Sequence, residues 1–182
     1  MKFKALQLPE VIEIEPRVFR DERGYFMETF QFERFSQNGI DQVFVQDNQS
    51  GSQQGILRGL HYQINHPQGK LVRVVTGEIF DVAVDIRRNS PTFGQWVGSI
   101  LSESNKKQLW IPPGFAHGFL TLSSWAEIHY KCTDYYHPDS ERTIIWNDAA
   151  INILWPFINQ SLPVVSEKDS KGMVLGEADL YE

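Results

Sequence analysis

A histidine, an arginine and a lysine fall close together in RGLHYQINHPQGKLVRV, residues 58–74, on stretches that otherwise read as β-strands. An imidazole such as that of His61 can take up a proton near neutral pH, and the Lys70 ammonium can stabilise a developing anion. Arg58 offers a planar fork of N–H donors suited to phosphate oxygens. A second histidine, His117, lies in WIPPGFAHGF, and a phenol, Tyr130, in AEIHYKCTDYY.

Strand parity decides which of these groups share an interior. Alternate residues point the same way, so Lys70 lies on one face with Val72 and Val74, and Tyr130 with Ile128 and Cys132. On the strand after the turn, Phe80, Val82, Val84 and Ile86 make an apolar face. An inward ammonium near a strand end is costly unless something uses it, and the alternative is a packed stem whose head reaches water. Tyr130 is open to the same choice, working phenol or core filler with a satisfied hydroxyl. Arg58 and His61 are three positions apart, which strict alternation assigns to opposite faces. Gly59 between them could supply a bulge that re-aims one of the two.

The elements that must hold these groups are short strands. KLVRVVTGEIFDVAVDIR reads as strand, Thr-Gly turn and strand, with GQWVGSILS and AEIHYKCTDYY as further strands. Gly and Pro punctuate the runs at short intervals, as in a β-sandwich or small barrel. Only METFQFERFSQNGI has helical spacing, with Asn38-Gly39 as its stop. The polar end, VVSEKDSKGMVLGEADLYE, is expected to hold a short helix or to lie over the domain as a loop.

The 182 residues suit a single domain, with the segment from about 160 to 182 packing over it. Contents of 41% hydrophobic and 13% aromatic residues exclude a disordered chain. A net charge of −6 without a basic stripe argues against a nucleic-acid partner. The stretch MKFKALQLPEVIEIEP lacks the apolar run of a signal peptide, and no segment approaches a membrane span. The lone Cys132 cannot form an internal disulfide, so a reducing, cytoplasmic setting is expected.

The Pro-x-Gly-x-x-His turn of WIPPGFAHGF resembles the second motif of the cupin barrels, and GLHYQ sits where their first motif begins. Metal-binding cupins carry His-x-His, then Glu, then the later His, a set suited to a divalent transition metal. Here Gln63 stands at the second His position and Lys70 at the Glu position, and an ammonium repels a cation. No metal is expected.

With that exchange the chain resembles the dTDP-4-dehydrorhamnose 3,5-epimerase family over nearly its whole length. FRDERGYFMETF, VQDNQS, GILRGLHYQ, PQGKLVRVVTGEIFDVAVDIRRNSPTFGQW, LWIPPGFAHGFLTLS, YKCTDYY and WNDAAINILWP follow that family's order. The resemblance implies an all-β fold, a double-stranded antiparallel β-helix or jelly-roll cupin barrel with a few short helices. It also implies a homodimer that inverts C3 and C5 of a dTDP-4-keto-6-deoxyhexose, without a cofactor, in dTDP-L-rhamnose biosynthesis.

Residue by residue, the resemblance makes His61 the general base and Tyr130 the general acid on the opposite face of the sugar. Asp169, in SEKDS, becomes the carboxylate that orients His61, and Lys70 the group beside the keto oxygen. Substrate contacts fall to Arg23, Glu28, Gln46, Asn48, Arg58, His117, Glu141 and Lys168, with Arg23 and Glu28 coming from the neighbouring subunit. Tyr136 is the candidate for stacking on thymine. His129 departs from the apolar residue expected beside Tyr130, and parity turns it away. The competing readings are a metal-dependent cupin enzyme, which lacks its Glu and one His here, and a non-catalytic sugar-binding cupin, which has no use for an opposed base and acid. Within the family, inversion of C3 or C5 alone, on a related deoxysugar, is the remaining alternative.

Overall fold

The computed structural model describes residues 1–158 and 161–182. The strands are β1 Lys2–Ala5, β2 Ile12–Glu15, β3 Val18–Asp21, β4 Gly24–Met27, β5 Gln46–Gln53, β6 Leu57–Gln63, β7 Lys70–Thr76 and β8 Glu78–Asp85. They continue with β9 Trp96–Ser102, β10 Gln108–Ile111, β11 Phe115–Thr121, β12 Trp125–Cys132 and β13 Glu141–Thr143. Two short α-helices, α1 Phe32–Ser36 and α2 Glu167–Ser170, and a 3-10 turn, Pro138–Ser140, are the other regular elements among the described residues. No helix among the described residues is long and apolar enough to cross a membrane.

The strands pair antiparallel into a six-stranded sheet, β1-β2-β10-β7-β12-β5, and a five-stranded sheet, β13-β6-β11-β8-β9. The crossing connections between the two sheets give the jelly-roll, cupin-like barrel expected of the sequence. Its interior is filled by alternate residues of both layers. Val72, Val74, Leu109, Ile111, Ala126 and Ile128 of the six-stranded sheet meet Ile79, Ala83, Val97, Leu101, Phe115 and Phe119 of the five-stranded one. Burial of each large aliphatic side chain is worth about 1.5–3 kcal/mol, which anchors the walls of one barrel end while the other end carries polar groups.

The apolar face of β8 points the other way. Val82, Val84 and Ile86 pack outward with Leu57, Leu60 and Tyr62 of β6, under Trp155, Leu175, Ala178 and Leu180 of the C-terminal segment. The five-stranded sheet is therefore covered on both faces, and the inner face of β8 carries Ile79, Asp81 and Ala83. A helix does form in METFQFERFSQNGI, but only over five residues. Met27 belongs to β4, and the Gln31 side chain caps the helix by accepting from the Arg34 N–H at 2.7 Å. The stop falls at Gly39, which adopts φ +86°.

Candidate active site

The polar end of the barrel is built by an irregularity in β6. Along β11 the partners His117↔His61 and Phe119↔Arg58 are two residues apart, whereas along β6 they are three apart. The extra residue is a bulge around Gly59, whose φ of +127° disfavours any side chain. A Cβ there would lie 2.5 Å from the Gly118 Cα. The consequence is that Leu57 and Leu60 both face the C-terminal layer, while Arg58 and His61 both turn toward the barrel. Arg58 reaches the opposite sheet, where its Nε donates to Ser52 Oγ at 3.0 Å.

His61 Nε2 donates to Asp169 Oδ1 at 2.6 Å, and the Gly59 N–H donates to the other oxygen at 3.3 Å. Asp169 is only 2% exposed. It is carried by α2, whose first turn is closed by Ser166 Oγ accepting from the Asp169 N–H at 3.1 Å. The chain reaches that point because Val164 bridges Ile56, just before β6, and Met173 bridges Ile144. Burial lowers the pKa of His61 below its ordinary 6.5, and the Asp169 hydrogen bond and charge restore part of the loss. Burial alone would raise the Asp169 carboxyl, but the His61 hydrogen bond and charge, the Gly59 N–H and Lys168 outweigh it and keep the group a carboxylate. The pair is thus an imidazole oriented by a carboxylate, its other ring nitrogen without a hydrogen-bond partner among the described residues.

The facing wall comes from three neighbouring strands of the six-stranded sheet. Their registers align Lys70 with Cys132 and Gln46, and Val72 with Tyr130 and Asn48. Lys70 therefore shares the inner face with Val72 and Val74, as parity requires. Burial lowers its pKa, opposed by Cys132, Glu141 and Asp81. Burial raises that of the Tyr130 phenol, and the nearby Arg58 charge opposes the rise. Among the described residues, no side chain hydrogen-bonds to the Lys70 ammonium or the Tyr130 hydroxyl. An ammonium and a phenol with no side-chain partner, facing a base across the barrel, are free to meet a substrate.

The rim gathers most of the remaining candidates. Gln46 Nε2 donates to Asn48 Oδ1 at 3.1 Å, and the Tyr136 N–H donates to Gln46 Oε1 at 2.9 Å. Glu141, at the start of β13, accepts from Lys168 Nζ at 2.8 Å and from Tyr136 Oη at 2.9 Å. Burial would raise its pKa, but those two hydrogen bonds and the Lys168 charge hold it below the usual value. The Tyr136 ring is half exposed and open to stacking. His129 lies on the outer face beside Arg73, with 3.3 Å between Nδ1 and Nη2, as its parity requires.

Arg23 and Glu28 are not brought to this group within the chain. Arg23 forks onto Asp21 in the separate β3–β4 hairpin, its Nε 3.2 Å from both carboxylate oxygens, and Glu28 pairs with Arg34 at 2.6 Å. Conversely, the site holds residues the sequence reading passed over. Asp81, fully buried on the inner face of β8, accepts from His117 Nε2, which lies 3.0 Å from each of its oxygens. Parity with Ala83 was the available signal, hidden because the opposite face of that strand is so apolar. Gln63, at the position of a cupin metal ligand, instead laces the rim. Its amide donates to His66 O at 2.7 Å and Tyr135 O at 3.2 Å and accepts from the His137 N–H at 2.7 Å.

Comparison with known proteins identifies the family. The family described as dTDP-4-dehydrorhamnose 3,5-epimerase matches residues 5–177. The chain is 55% identical over 182 residues to the dTDP-4-dehydrorhamnose 3,5-epimerase of Pseudomonas aeruginosa, covering 100% of this chain and 99% of that one. It is 56% identical over 177 residues to the enzyme of the same name from Salmonella typhimurium, covering 96% of each. Among solved structures, dTDP-6-deoxy-D-glucose-3,5-epimerase from Legionella pneumophila, in complex with dTDP-4-keto-L-rhamnose, superposes with a TM-score of 0.94 at 54% identity. That match covers 98% of this chain and 94% of the other.

Proposed function

The chain belongs to the dTDP-4-dehydrorhamnose 3,5-epimerase family, and on that premise we propose that it converts dTDP-4-dehydro-6-deoxy-D-glucose to dTDP-4-dehydro-L-rhamnose by inversion at C3 and C5. The observation that carries the reading is the opposition across the barrel of the His61–Asp169 pair and of Tyr130 and Lys70, which have no hydrogen-bond partner among the described residues.

Each inversion begins with His61 taking the proton from the carbon beside the ketone. The C–H electron pair moves into an enolate whose charge rests on the keto oxygen. The acidity gap between such a carbon and an imidazole is on the order of ten pKa units, at about 1.4 kcal/mol each. A base alone does not bridge it. Lys70 supplies the compensating donor at the oxygen, and it is the more effective the more water the bound sugar displaces. Asp169 holds the imidazole tautomer and supports the imidazolium that forms. Tyr130 then delivers a proton to the other face of the carbon, which makes the outcome inversion rather than exchange. The phenolate and imidazolium return to their starting states through solvent.

Arg58 and His117, with Asn48, Gln46, Glu141 and Lys168 on the rim, bind the sugar and diphosphate, and Tyr136 stacks on the thymine. Arg23 and Glu28 join from a second copy in a homodimer. Support for this arm comes from the β3–β4 hairpin, which exposes Phe19 (48%), Tyr25 (52%) and Phe26 (71%) beside Arg23. Large apolar side chains so displayed suit an interface. The setting proposed is cytoplasmic. The reaction needs no metal, because Gln63 and Lys70 stand where a cupin metal would need ligands. Turnover should survive thorough chelation; loss on chelation with recovery on adding a divalent ion contradicts this.

The direct test is incubation with dTDP-4-keto-6-deoxyglucose in heavy water. Deuterium at both C3 and C5 of an L-configured product is expected. Label at one carbon alone identifies a single-centre epimerase, and label at neither refutes the reading.

A further inference from the structure

Outside the barrel, three metal-ligating side chains meet on the rim. His66 lies in the loop between β6 and β7, and Asp134 and His137 follow β12. We propose that His66, Asp134 and His137 form a site for a divalent transition metal of the zinc class, separate from the catalytic group and not required for catalysis. One ligating atom from each lies within 4.8 Å of the other two. The two imidazoles stack with ring centres 4.0 Å apart and planes 17° apart, so one ring must turn for both in-plane lone pairs to meet a single ion. His66 Nδ1 stands 3.5 Å from Asp134 Oδ2, too far for a good hydrogen bond. Among the described residues neither imidazole has a closer polar partner.

The donor set has the chemistry of a metal centre. Two imidazoles and one carboxylate suit Zn²⁺, with water completing the tetrahedron. In a tetrahedron with bonds of about 2.1 Å, neighbouring ligand atoms lie roughly 3.4 Å apart, so closure asks for an approach of up to about 1.4 Å. The exposed His66 side chain can supply that movement by turning about its own side-chain torsions.

The backbone beneath is already fixed. Gln63 ties both segments through His66 O, Tyr135 O and the His137 N–H. Gln68 Nε2 donates to Asp134 O at 2.8 Å, and the Gly69 N–H donates to Thr133 Oγ1 at 2.8 Å. Such support lowers the ordering cost of binding.

Metal-stripped protein titrated with zinc chloride in a calorimeter tests the proposal. One Zn²⁺ per chain is expected, with a dissociation constant on the order of micromolar. His66→Asn and His137→Asn should each weaken binding by at least about tenfold, at an unchanged metal-free melting temperature. His61→Asn should leave binding intact, which separates this site from the His61–Asp169 pair. The absence of micromolar binding, equal binding in the two rim variants, or loss in His61→Asn overturns the proposal.

Discussion

At His61 two opposed effects set the proton affinity, and the balance can be read in the pH profile. Burial lowers the pKa below 6.5, while the Asp169 hydrogen bond and charge raise it. A base with a lowered pKa stays competent until pH falls through that lower value, so the acid limb of kcat/KM should lie below about pH 6.5. Asp169→Asn removes the influences that raise the pKa, so the limb should move further down. The rate should also fall by on the order of a hundredfold or more, because the tautomer is no longer fixed. A limb that moves up would contradict the assignment. Lys70 is legible in the sequence because parity forces a charge inward. Asp169 is not, because its contact with His61 spans 108 residues and nothing in SEKDS marks it without the family pattern.

Among the elements, the bulge in β6 does most to shape the site. Without it Arg58 and His61 could not face one cavity, since a strand alternates with period two. Gly59 was suggested by its position between them, but the need for glycine comes from Gly118 on the neighbouring strand, which no local pattern contains. Gly59→Ala should destabilise the fold by roughly 3 kcal/mol or more, through the disfavoured φ and the contact with Gly118. Chemical denaturation measures this, and a change below about 1 kcal/mol would remove the bulge argument. The strands themselves were legible as short runs between Gly and Pro. That the C-terminal segment packs over the domain was expected too; what no local pattern marked is that it covers the outer face of the five-stranded sheet, through the anchors Leu175, Ala178 and Leu180.

For the molecule as a whole, the proposal that Arg23 acts across a homodimer makes a quantitative forecast. His61→Ala and Arg23→Ala are each expected to be nearly inactive. In a mixed dimer of the two, one site carries both defects and the other carries neither. Unfolding and refolding them together at equal amounts should recover about a quarter of wild-type turnover, half the dimers being mixed with one intact site each. Recovery absent from a mixture shown by mass spectrometry to contain mixed dimers would place Arg23 in its own subunit's site or in none.

The central claim is that base and acid act from opposite sheets on one enolate. Deuterium NMR of sugar nucleotide recovered from heavy water, read beside a coupled reductase assay for product, tests it with three variants. His61→Ala should lose both exchange and inversion. Lys70→Ala should depress both together, since both pass through the same enolate. Tyr130→Phe should still exchange, with His61 returning deuterium to the original face, while inversion falls by about a hundredfold to ten-thousandfold. Exchange and epimerisation by His61→Ala at the wild-type rate would contradict the account.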